Sequence, residues 1–164
     1  MADRYDNLNH NNMMASIGSM PRRWSDAICL PAPQNIEDVF TEEGPGGIVI
    51  ADEMGAAIHQ MELLDLAIRV TSYLDPEPLP DGTVDAAADR LSGSRPQNAA
   101  QAIADIVEVN ESAYKRLSDL RMADWSKSGT QNGVTMNISD LAKGVSRVNA
   151  ERLARATRAV ESFR

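Results

Sequence analysis

The chain has 164 residues, about the length of one domain, with 43% hydrophobic residues and a formal charge of −8. That balance excludes wholesale disorder, and the acidity excludes a global attraction to nucleic acid or anionic lipid. Only 4% of the residues are aromatic and alanine supplies much of the apolar content, which suits closely packed helices better than a β-sandwich.

Cys29 is the one cysteine, so neither an internal disulfide nor a multi-thiolate zinc site is expected. The asparagine-rich start, with Asp3 and Asp6, does not have the pattern of a signal peptide. Arg22-Arg23 does not begin a twin-arginine signal, because Asp26 and Pro31 interrupt a very short apolar run. No window has the length of a membrane span. The expectation is a cytoplasmic or virion protein, not one secreted by a signal peptide.

Residues 1–47 read as an extended irregular arm. Asn7, Asn9, Asn11 and Asn12 are poor formers of regular structure, and Pro21, Pro31, Pro33 and Pro45 punctuate the remainder of the segment. The arm nevertheless carries apolar anchors, among them Met13, Met20, Trp24, Ile28 and Phe40, and a short helix is expected at 35–41. Residues 44–47 are glycine-rich and precede a helix, as a phosphate loop would. They lack the Lys-Ser/Thr ending and come directly after Glu42 and Glu43, so a flexible joint between arm and body is expected instead.

The body, 48–164, is expected to be all-α, with three long amphipathic helices and one or two short ones. The first long helix, 51–74, places Met54, Ala57, Met61, Leu64 and Ile68 on one side. His59, Leu63, Leu66, Val70 and Leu74 fall on a second side, leaving Glu62, Asp65 and Arg69 as a solvated ridge with an Asp65–Arg69 pair. Apolar on two sides, this helix needs partners on both. After it come a proline-rich break at 75–82 and a short helix at 84–91.

The second long helix, 97–124, carries one stripe of Ala99, Ala102, Ile103, Ile106, Val109, Ala113, Tyr114, Leu117 and Leu120. Asn110 lies inside that stripe, where a polar residue sets register. A polar loop is expected at 126–136, with a brief extended stretch at 134–138. The third long helix then starts near Asn137 or Ser139 and runs to the C-terminus. Its stripe passes Gly144 without a change of phase, which favours one helix over a helix-turn-helix reading of residues 140–148.

Little catalytic chemistry is on offer. His59 and Glu62 have metal-ligand spacing, but a di-metal bundle uses Glu-x-x-His from each of two helices, and here one reversed pair stands alone. The two are weak metal candidates, and no cofactor or catalytic residue is expected. The C-terminal helix is the basic region, with six basic against three acidic residues from Ser139 onward. Lys143, Arg147, Arg155 and Arg158 share a face that would meet nucleic acid or an acidic partner.

The function expected is a non-enzymatic structural or adaptor protein of a homo-oligomer or larger assembly. A tailed-phage virion component (connector, internal or packaging protein) is one such type. Met20, Trp24, Ile28, Phe40, Met54, Met61 and Ile68 are its candidate interaction residues. The alternatives are a nucleic-acid-associated regulator or packaging factor using the basic helix and, third, a helical-bundle metalloenzyme. Protein partners are expected, nucleic acid is secondary, and no membrane is involved.

Overall fold

A computed structural model describes residues 9–29, 35–73, 95–126, 128–131 and 134–163. They form an all-α fold with six helices and one small hairpin: α1 (His10–Gly18), α2 (Met20–Cys29), α3 (Ile36–Val39), α4 (Ile50–Tyr73), α5 (Ala99–Asp119), β1 (Ser128–Gln131), β2 (Val134–Asn137) and α6 (Ile138–Ser162). The proline-rich break at 75–82 and the short helix at 84–91 lie outside the described residues.

The N-terminal segment differs from the expected arm. Met13, Ile17, Met20, Trp24 and Ile28 succeed one another at steps of four, three, four and four, which is a helical stripe, and all five are fully buried. Asn9 starts α1 as a cap, its side chain accepting from the Asn12 amide at 2.9 Å. Asparagines in the first turn are therefore compatible with a helix that the cap and the buried face sustain. Ser19 closes α1, and Pro21 stands in the first turn of α2, where its missing N–H is harmless. Both helices pack on α5 and α6, so their apolar residues join the same core as the rest of the chain.

Past α3, the glycines form a tight hydrogen-bonded turn in place of the flexible joint expected. Gly46 and Gly47 hold φ of 73° and 75°, which side chains with a Cβ rarely adopt. The Gly44 amide donates to the Ile48 carbonyl at 2.8 Å, and the chain turns directly into α4.

The periodicity of α4 holds, with Met54, Ala57, Met61, Leu64 and Ile68 all buried. α5 and α6 both pack along it, but on its second side Leu63 and Leu66 are only half-buried. The α5 stripe is buried at Ala99, Ala102, Ile106, Ala113 and Leu117, but Tyr114 departs from it and is 39% exposed. Gly144 lies inside continuous helix, where an added Cβ would touch nothing, so α6 is one helix with its cap at Asn137. The loop expected at 126–136 contains the antiparallel pair β1–β2, in register from Ser128 opposite Asn137 to Gln131 opposite Val134. Thr130, Val134 and Thr135 are residue types that suit paired strands.

Candidate functional site

Where α4 and α5 run side by side they leave a groove of about 560 Å³. His59, Glu62 and Asp65 enter it from α4, and Gln101, Asp105 and Glu108 from α5. The 100° step per residue brings positions 59, 62 and 65 onto neighbouring lines of α4, and 101, 105 and 108 onto one line of α5. The expected solvated ridge is thus half-covered by α5. The expected Asp65–Arg69 pair lies outside the described residues, because the Arg69 side chain is not among them. Asp65 accepts from Arg116 Nε at 2.7 Å and from Ser112 Oγ at 3.1 Å, both on α5.

His59 Nδ1 stands 3.8 Å from Glu62 Oε2, with each side chain about one-third exposed. Burial raises the Glu62 carboxyl above the usual carboxylate range; His59 opposes that shift and Asp105 adds to it. Asp105 is held in turn by Gln101 Nε2 at 2.7 Å. The groove carries excess negative charge beside one imidazole. Among the described residues no group of three His, Cys, Asp or Glu side chains could hold a metal ion.

Close packing sets the mouth of the groove. A Cβ on Gly55 would come within 2.9 Å of Pro96 Cδ, so glycine lets the segment before α5 lie against α4. Arg95 Nε reaches Asp52 Oδ1 at 2.8 Å across the same junction.

The expected interaction residues are elsewhere. Met20, Trp24, Ile28, Phe40, Met54, Met61 and Ile68 are all fully buried in the core, because the stripes of α2 and α4 are satisfied by α5 and α6. They hold the subunit together and offer no docking surface. The described large apolar residues that do reach solvent are Val107 (37%), Tyr114 (39%) and Met122 (78%). Val107 and Tyr114 are seven residues apart on α5, hence on one face. The Tyr114 ring lies against Gly18, whose added Cβ would meet Cε2 at 3.0 Å. A shallow groove lined by Met14, Gly18, Arg22 and Glu111 adjoins the ring.

The basic face of α6 is partly turned inward. Arg155 Nε and Arg152 Nη1 reach Glu53 Oε2 at 3.2 and 3.3 Å, joining α6 to the first turn of α4. Glu53 is buried in the first turn of α4. Arg147 and Arg158 are exposed, Lys143 is half-buried, and Lys143 and Arg147 have partners of their own. No helix among the described residues is long and apolar enough to cross a membrane.

Two organising residues were not singled out as such by the sequence. Glu37 of α3 accepts from the Ala99 and Ala100 amides at 2.9 and 3.0 Å, capping α5 from 62 residues upstream. Only the local cap, Asn98 to the Gln101 amide at 2.8 Å, is readable from spacing. Glu53 looks like an ordinary first-turn acid until α6 packs on it. Compared with known proteins, the chain matches no family model, no curated protein and no solved structure.

Proposed function

We propose that this chain is a non-enzymatic structural or adaptor subunit that assembles with copies of itself through the outer face of α5. The observation that carries this is the exposed pair Val107 and Tyr114, one heptad apart, beside the groove between α1 and α5. Side chains at heptad spacing on a helix can meet the same face of a second copy, and aromatic residues recur at the centres of protein interfaces. The packing of Tyr114 against Gly18 limits how far its ring must be ordered on docking, which favours association. Such a subunit belongs to multi-copy structures, of which a tailed-phage virion is one. Packaging nucleic acid through α6 is the less favoured reading, because Arg152 and Arg155 are engaged by Glu53.

Sedimentation velocity at micromolar concentration tests the proposal. The wild-type chain should run as a dimer or larger species. Val107→Glu with Tyr114→Glu should run as a monomer with unchanged helical circular dichroism. A monomeric wild type, or a double variant that stays assembled, overturns it.

A further inference from the structure

The seam between α4 and α5 is fastened at both ends and charged in the middle. At one end Arg95 meets Asp52 at 2.8 Å; at the other Arg116 and Ser112 hold Asp65 at 2.7 and 3.1 Å. Between these fastenings Glu62 of α4 shares the groove with Asp105 and Glu108 of α5. The nearest positive group is His59, 3.8 Å from Glu62 and charged only when protonated. Gln101 steadies Asp105 at 2.7 Å but brings no charge. α6, packed along α4 as well, contributes none of the described residues that line the groove.

Three carboxylates facing one imidazole across a half-covered seam repel when ionised, and the partial exclusion of water lengthens the reach of that repulsion. We propose that the middle of the α4–α5 seam is a pH-responsive element, which tightens when Glu62 takes up a proton and loosens as the pH rises. Protonation of Glu62 removes a negative charge facing Asp105. The end fastenings keep the helices paired throughout, so the change is one of local opening and not of unfolding.

The direction is set by Glu62, whose carboxyl is raised in the folded chain. Below the usual carboxylate range it is protonated both folded and unfolded, and the seam carries no penalty from it. As the pH climbs through the raised folded value, the folded chain must hold a charge that the unfolded chain carries more easily, and stability is lost. The element does not depend on the assembly face, which lies elsewhere on α5.

Thermal midpoints of the full chain, wild type against Glu62→Gln, at pH 5 and pH 8 in low salt, test it. The variant should melt about 2–4 °C above the wild type at pH 8, and the gain should shrink at pH 5. Asp105→Asn, a second and milder relief of the same repulsion, should behave likewise, and 0.5 M salt should diminish both gains. Hydrogen exchange corrected for intrinsic rates should show residues 54–66 and 101–112 opening more at pH 8, with α6 unchanged. An equal offset at the two pH values, a Glu62→Gln midpoint below wild type at pH 8, or exchange that changes uniformly along the chain overturns the proposal.

Discussion

Single side chains join elements that are far apart in sequence. Asn110 donates through Nδ2 to the Ile17 carbonyl at 2.9 Å, in the buried contact of α5 with the last turn of α1. That carbonyl is one of the helix-end groups without a partner inside its own helix. Asn110→Leu should therefore cost about 1–3 kcal/mol, since it strands a buried acceptor, read as a lowered urea midpoint with little change in slope. Glu37 acts the same way at the start of α5. Glu37→Ala should cost about 1 kcal/mol, and Glu37→Gln should recover part of it, because one amide oxygen remains to accept. Asn110 was legible as a polar residue inside an apolar stripe. Its partner was not, because a backbone carbonyl carries no mark in the sequence.

The helices differ in how much of themselves the sequence displays. α4, α5 and α6 are long, so their stripes repeat often enough to be read; the ends of α4 and α6 fall close to the expected ones, whereas α5 stops at Asp119 and not at 124. α1 and α2 are 9 and 10 residues long, near or below the length at which an isolated helix is marginal in water. Their stripe, Met13 to Ile28, spans the interruption at Ser19 and is hidden by asparagine and proline. Because it enters the core, removing residues 1–29 should expose α5 and α6 and abolish the cooperative unfolding transition. Trp24→Ala, which empties a fully buried site, should cost about 3–5 kcal/mol, measured by chemical denaturation. A truncated chain that keeps its helicity and its sharp transition would return these residues to the role of a dispensable arm.

At the scale of the molecule, α4 is the element that α5 and α6 both pack along. Glu53 ties its first turn to α6, Asp65 ties its middle to α5, and the hydrophobic side between them is buried by both. The net charge of −8 therefore conceals a division of labour, in which part of the basic helix neutralises a buried acid within the chain. Glu53→Ala leaves Arg152 and Arg155 without that acid, and should cost about 2–3 kcal/mol, since both guanidiniums keep some contact with water. The loss should change little between low and moderate salt, because Glu53 itself is screened from solvent. Thermal melts of the variant and wild type at two salt concentrations decide this.

The sequence by itself determined the all-α class, the three long helices and their buried stripes, and the cap at Asn137. Each of these rests on residues close together in the chain, where helical period, side-chain branching and the hydrogen-bonding reach of a short polar side chain act directly. The tertiary structure decided the rest. It turned the N-terminal segment into two core helices, because burial outweighs the weak helix propensity of asparagine. It moved Met20, Trp24, Met54 and Met61 from expected interface to interior, since an apolar stripe does not say which surface covers it. It gave Asp65 a partner in Arg116 and drew Arg155 from the basic face to Glu53, because which of several oppositely charged groups is nearest depends on distances between helices, and those are set by packing.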